Sequence, residues 1–128
     1  MTELQFYKYH GAGNDFVMLN GFTDEITLTQ SQVEKICHRR FGIGADGLII
    51  LRPIKNADFE MLYHNADGAI GSMCGNGARC AVALASRLDI IRDTCRFLAY
   101  DGLNTGQILK DGNLEISMGD VSKIMQLE

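Results

Sequence analysis

The chain has little proline, no excess of positive charge and no long apolar segment. Its 128 residues include 1 proline against 14 glycines, so tight backbone positions must rely on glycine. Twelve basic and 16 acidic residues give a formal net charge of −4, which argues against nucleic-acid binding and an electrostatic membrane anchor. The longest apolar runs, near residues 48–51 and 80–85, are far shorter than the roughly 18 residues of a transmembrane helix.

Features of exported proteins are also lacking. Residues 1–10 contain no apolar stretch of the kind found in secretory signal peptides. The 4 cysteines are too few for a disulfide scaffold in a chain of this length; they are Cys37, Cys74, Cys80 and Cys95. We therefore expect a cytoplasmic protein whose thiols are reduced and available for chemistry.

Local patterns predict one α+β domain with about seven strands and two helices. The predicted strands cover residues 4–9, 16–20, 47–52, 58–64, 95–100, 105–109 and 113–118. A capping box formed by Thr29 and Gln32 begins a helix over residues 30–40, and a second, longer helix covers about residues 76–90. Asp111-Gly112 between the last two strands is typical of a hairpin. We expect the long helix to pack inside or across a curved sheet.

The segment with the clearest chemical signal is residues 73–80 (MCGNGARC), where a loop enters the long helix. Unpaired N–H groups and the helix dipole at this point would lower the pKa of the Cys74 thiol. The same N–H groups, on Gly75 and Asn76, could bind a carboxylate. A thiolate beside such an anion site suits a nucleophile, or a base that acts on the carbon next to a carboxylate. The alternative is a buried structural cysteine at a tight turn.

Other chemistries have weaker support in the sequence. Cysteine-protease catalysis needs a histidine base, and the three histidines stand in no protease pattern. Zinc binding is disfavoured because Cys74 and Cys80 are six positions apart and there is no C-x-x-C pair. Residues 42–47 (GIGADG) contain G-x-G but precede a strand, which argues against a dinucleotide site. We therefore expect neither a bound metal nor a dinucleotide cofactor.

Four motifs together resemble those of the diaminopimelate epimerase family in order and spacing. They are residues 10–16 (HGAGNDF), 42–47 (GIGADG), 65–68 (NADG) and 73–80 (MCGNGARC). The resemblance implies a curved mixed sheet wrapped around a central helix, as one half of a two-domain fold. It also implies a cofactor-independent epimerase that interconverts LL- and meso-diaminopimelate in bacterial lysine biosynthesis.

The resemblance also assigns roles to individual residues. Cys74 matches one of two catalytic cysteines, of which one removes the α-proton as a thiolate and the other, as a thiol, reprotonates the opposite face. Gly75 and Asn76 match the helix start that binds the α-carboxylate. Asn14 and Asn65 match substrate-binding asparagines. One departure is Gly47, which stands where some family members have a glutamine that contacts substrate.

The length of the chain departs from the family as well. Residues 1–120 correspond to the N-terminal epimerase domain, and residues 121–128 to the start of a linker toward a second domain that the chain lacks. The opposing cysteine would belong to that domain, so we expect the isolated half to be inactive. Its uncovered apolar face could favour a homodimer.

Two alternative functions stay open. One is a related amino-acid racemase of the same fold, although proline racemases tend to have histidine where Asn76 stands. The other is a stand-alone half domain that binds a carboxylate ligand or a protein partner. Near the motifs, we interpret Asp15 and Asp46 as structural turn residues and residues 38–40 as a solvated helix end.

Overall fold

A computed structural model describes residues 4–11, 13–71, 75–100 and 102–117. Cys74 and residues 118–128 lie outside this part, and so do the predicted domain boundary at residue 120 and the end of the last predicted strand. The elements are β1 (Tyr7–Gly11), β2 (Asn14–Asn20), α1 (Gln30–Cys37), β3 (Gly47–Arg52), β4 (Phe59–Asn65), α2 (Gly75–Arg87), β5 (Thr94–Ala99), β6 (Gly102–Ile108) and β7 (Leu114–Ser117). Neither of these two helices is long and apolar enough to cross a membrane.

The strands form one mixed sheet whose order follows the chain from β1 to β7. Neighbouring strands are antiparallel except for β2 with β3 and β4 with β5, which are parallel. Parallel neighbours need a crossover connection, and α1 and α2 provide the two crossovers. The predicted α+β class and the seven strands and two helices are confirmed within the described residues.

Helix α2 is the central element of the main core. It contacts both edge strands, β1 and β7, so the sheet curls around it. Its buried face is rich in small side chains, which lets the strands approach closely. The core around it includes the stacked rings of Phe59 and Phe97, whose centroids are 5.2 Å apart. The predicted curved sheet around a central helix is confirmed.

Helix α1 packs against the opposite face of β2 and β3. Alternate residues of β2 separate the two cores: Phe16 and Met18 face α2, whereas Val17 and Leu19 pack with Val33 of α1. Because both faces of β2 and β3 are buried, each strand is an almost continuous apolar run rather than an alternating one.

Several elements begin or end at residues other than the predicted ones. Strand β2 begins at Asn14 rather than at residue 16, β6 begins at Gly102 rather than at residue 105, and α2 ends at Arg87 rather than at about residue 90. Helix α1 and strand β1 differ as well. The capping box is present: Gln32 N donates to Thr29 Oγ1 at 3.1 Å, and Thr29 N donates to Gln32 Oε1 at 2.8 Å. The helix ends at Cys37 rather than at residue 40 because His38 has extended backbone, with ψ 123°. Strand β1 covers Tyr7–Gly11 rather than residues 4–9, because that segment pairs with the start of β2.

Candidate active site at the start of helix α2

Two of the predicted site residues are in direct contact at the start of α2. Asn76 Nδ2 donates a hydrogen bond to Asn14 Oδ1 at 2.8 Å, which joins the helix to the first residue of β2. Gly75 and Asn76 are the first two residues of α2, where backbone N–H groups have no partner within the helix. Cys74 directly precedes Gly75 in the sequence. The described residues thus bring a donor-rich helix end and an asparagine side chain together beside the cysteine position.

Glycines in the β1–β2 turn make this contact possible. A Cβ atom on Gly11 would lie 2.8 Å from Asn76 Cβ and 3.1 Å from Asn76 O, so a larger residue would push the turn away from α2. Gly13 has φ +93°, in the left-handed region that glycine adopts without strain. Gly11 therefore has a packing role and Gly13 a conformational one, and the sequence pattern alone specified neither.

A carboxylate supports Asn14 from the side opposite Asn76. Asn14 Nδ2 donates to Asp46 Oδ2 at 3.2 Å. The same oxygen accepts the backbone N–H of Asp15 at 3.1 Å, and Asp46 Oδ1 accepts from an Arg39 Nη atom at 3.0 Å. Asp46 therefore links the start of β2 with the turn that follows α1.

Asp15 completes this charged cluster. Arg39 donates two hydrogen bonds of 2.8 Å to its two carboxylate oxygens, and Lys8 Nζ lies 3.1 Å from Asp15 Oδ2. These cations, Arg39 foremost, hold the pKa of Asp15 well below its usual range. The structural interpretation of Asp15 and Asp46 agrees with these contacts. Residues 38–40 are exposed just after α1, as predicted for a solvated helix end, and Arg39 has the additional role of pairing with two carboxylates.

Asn65 ends β4 at the same end of the sheet. It pairs in register with Gly47 of β3, and Phe16 of β2 pairs with Gly47 on the other side. Asn14, two residues before Phe16, and Asn65 therefore flank the start of β3. The chain then folds back along β4, with Asn65 N donating to Ala69 O at 2.8 Å. Substrate binding by Asn65 stays a prediction.

The ring of Tyr63 lies between Gly47 and Gly71, close to the Asn65 side chain. A Cβ on Gly47 would lie 2.7 Å from Tyr63 Cε1, and a Cβ on Gly71 would lie 2.8 Å from Tyr63 Cε2 and 2.9 Å from Asn65 Nδ2. The Tyr63 ring also meets Phe16 edge to face, with centroids 6.1 Å apart. A glutamine at position 47 would collide with this ring. No motif in the sequence pointed to Tyr63. Its position two residues before Asn65, on the same face of a strand, is the signal that could have found it.

The three described cysteines lie in the core. Cys37, Cys80 and Cys95 are all buried. Burial raises the pKa of Cys95 to about 11 and also raises that of Cys37, so neither forms a thiolate readily at neutral pH. Cys80 packs in the core around α2. Within the described part of the chain, no group of three or more potential ligands is placed to hold a metal ion.

Comparison with known sequences identifies the family. The sequence profile of diaminopimelate epimerase matches residues 6–124. This chain belongs to the diaminopimelate epimerase family. The diaminopimelate epimerase of Flavobacterium psychrophilum is 42% identical over 125 residues, which are 94% of this chain and 48% of that protein. That of Synechocystis sp. is 39% identical over 127 residues, or 97% of this chain and 46% of that protein. The chain therefore spans about half the length of these members of the family.

Solved structures share the fold at low sequence identity. A probable proline racemase from Agrobacterium radiobacter superposes with a TM-score of 0.70 at 14% identity, over 91% of this chain and 42% of that one. A phenazine biosynthesis protein of the PhzF family from Bacillus anthracis gives a TM-score of 0.67 at 16% identity, over 91% and 40%. These likenesses confirm the diaminopimelate-epimerase-like fold class.

Proposed function

We propose that this chain forms one wall of the active site of an amino-acid epimerase that acts on diaminopimelate without a cofactor. The observation that carries the proposal is the hydrogen bond from Asn76 to Asn14 at the start of α2, directly after the cysteine position. Membership of the family supports diaminopimelate as the substrate. The match to about half the length of a relative supports an active site that residues outside this chain complete.

In this mechanism the first turn of α2 binds the substrate's α-carboxylate. The N–H groups of Gly75 and Asn76 are not needed by the helix, and the helix dipole adds partial positive charge where they point. Negative charge that develops on the α-carbon delocalises into that carboxylate. The same donors then stabilise the transition state more strongly than the ground state.

Cys74 acts in this mechanism as the base or acid on one face of the α-carbon. Its thiolate accepts the α-proton and becomes a thiol, and an acid on the opposite face donates a proton to the same carbon, which inverts the configuration. The opposing acid comes from outside residues 1–128, because Cys37, Cys80 and Cys95 are buried in the core. In the reverse direction the two groups exchange roles.

Epimerisation of LL-diaminopimelate by the natural protein that contains residues 1–128 tests this proposal. We expect conversion to the meso form, and no comparable turnover of L-proline. Cys74→Ala should lower kcat by at least about a hundredfold, as expected for loss of a general acid or base. Cys80→Ala, a matched change of a buried cysteine, should leave kcat close to that of the wild type. Full activity of the Cys74→Ala variant would refute the mechanism, and binding of diaminopimelate without turnover would favour a ligand-binding module.

A further inference from the structure

We propose that Asp46 is a positioning residue that sets the orientation of the Asn14 side-chain amide and, through it, that of Asn76. The inference deepens the proposed function and rests on it, because these two asparagines stand at the proposed carboxylate site. Asp46 lies in the turn before β3, while Asn14 and Asn76 belong to β2 and α2. The hydrogen bonds that connect the three residues carry the argument.

An asparagine amide can turn over, exchanging its oxygen and its NH₂ group with little change of shape. At Asn14 the NH₂ end of the amide faces a hydrogen-bond acceptor, Asp46, and the oxygen end faces a donor, Asn76. An ionised carboxylate only accepts hydrogen bonds, so Asp46 Oδ2 selects the NH₂ end, at 3.2 Å. The oxygen end then faces Asn76 and accepts from its Nδ2 at 2.8 Å. The carboxylate thus determines the direction of both hydrogen bonds.

The Asp46 carboxylate is itself held from two directions. Its Oδ2 accepts the backbone N–H of Asp15 at 3.1 Å, and its Oδ1 accepts from Arg39 at 3.0 Å. Arg39 is fixed in turn by its paired hydrogen bonds to Asp15. Asp46 therefore presents Oδ2 to Asn14 in a defined position, even though its own side chain is partly exposed.

The orientation has a chemical consequence for the site. The Asn14 NH₂ group has two hydrogens. Among the described residues Asp46 uses one of them, which leaves one N–H for a ligand. An N–H donor suits an anionic substrate group, whereas the reversed amide would present an oxygen and repel it. Among the hydrogen bonds of the described residues, none joins Asp46 to Gly75 or Asn76, so its effect on binding passes through Asn14.

The test is the side-chain NMR signal of Asn14 in the natural protein that contains residues 1–128. In the wild type, one Nδ2 proton of Asn14 should be shifted downfield and exchange slowly with solvent, because it bonds a carboxylate. Asp46→Asn replaces the charged acceptor with a neutral amide that has one acceptor oxygen. It should reduce that shift and move the side-chain signals of both Asn14 and Asn76. Asp24→Asn, which removes the same charge from the exposed segment after β2, beyond the end of that strand opposite Asn14, should leave both unchanged.

Kinetics provide a second readout. For an active protein, Asp46→Asn should raise KM for diaminopimelate by about tenfold or more and lower kcat less, since a hydrogen bond to a charged group is lost. Absence of the downfield proton in the wild type, or unmoved signals in the folded variant, would overturn the proposal. So would moved signals with unchanged KM. If the wild type does not epimerise diaminopimelate, the proposed function fails, and the NMR measurement still decides the orientation.

Discussion

Asn76 Nδ2 donates a 2.8 Å hydrogen bond to Asn14 Oδ1, across 62 positions of sequence. The bond joins the first turn of the central helix to the first residue of a strand in the surrounding sheet. The close approach depends on Gly11, where any side chain would meet Asn76. A family motif near the N-terminus and another in the middle of the chain are therefore two parts of one site.

Substitution of Gly71 should impair ligand binding more than folding. In Gly71→Ala the new Cβ would lie 2.9 Å from Asn65 Nδ2 and 2.8 Å from the Tyr63 ring, so the Asn65 amide must move. We expect KM for diaminopimelate to rise by roughly tenfold, the effect of losing a hydrogen bond to a charged group. Both neighbouring atoms belong to side chains that can shift, so the loss of stability should be about 1 kcal/mol.

Gly112→Ala is the matched control for Gly71→Ala. Gly112 has φ +87° in the β6–β7 turn, and a Cβ added there would meet no atom of the described residues within 4 Å, so the cost is backbone strain alone. That strain also amounts to about 1 kcal/mol. Thermal unfolding should therefore show similar losses for the two variants, while only Gly71→Ala changes KM. A normal KM for Gly71→Ala would contradict a binding role for Asn65.

The Asp15 ion pair should make stability depend on pH in the acid range. The folded-state pKa of Asp15 lies below that of an unfolded aspartate, about 3.9. The stabilisation is therefore fully present above that pH and is lost as the pH falls further. Asp15→Asn should cost roughly 1–2 kcal/mol at pH 7, between the values for exposed ion pairs and for hydrogen bonds to charged groups.

Chemical denaturation at several pH values checks this prediction. The difference in unfolding free energy between wild type and Asp15→Asn should be constant from pH 7 to about 5 and should shrink below about pH 4. Asp111→Asn, in an exposed turn, serves as the control for removal of one carboxylate. A difference that grows as the pH falls would show that Arg39 does not stabilise ionised Asp15.

The four cysteines should differ in their rates of alkylation. Cys74 precedes the first residue of α2, where the helix dipole favours a thiolate, so iodoacetamide at neutral pH should modify it first. Cys37, Cys80 and Cys95 are buried, and burial raises the pKa of Cys95 to about 11. Peptide mapping by mass spectrometry measures the four rates. Modification of Cys95 before Cys74 would contradict the proposed activation.

Local signals in the sequence predicted much of the fold. The capping box begins α1 at the predicted residue, and the Asp111-Gly112 pair gives the predicted hairpin, with Gly112 N donating to Leu109 O at 2.9 Å. Each of these signals lies within a few residues, and its physical basis is local hydrogen bonding or backbone conformation. The start of α2 was predicted equally well, at residue 76 against the observed Gly75.

The sequence did not reveal which residues far apart in the chain contact each other. Arg39 and Asp15 are 24 positions apart, and no periodicity relates a turn after one helix to the start of a strand. The place of Tyr63 between Gly47 and Gly71 likewise depends on register between strands and on a loop that folds back. Asn14 and Asn76 were predicted individually from the family motifs, whereas their contact required the three-dimensional structure.

The central claim is that residues 1–128 supply only one side of the active site. Its most direct test is α-deuterium exchange and epimerisation in D₂O, measured with residues 1–128 alone and with the natural protein that contains them. We predict that the natural protein converts LL-diaminopimelate to the meso form with deuterium at the α-carbon. Residues 1–128 alone should produce no meso form, because inversion needs an acid on the opposite face. Formation of meso-diaminopimelate by residues 1–128 alone would contradict the proposal that the opposing acid lies outside this chain.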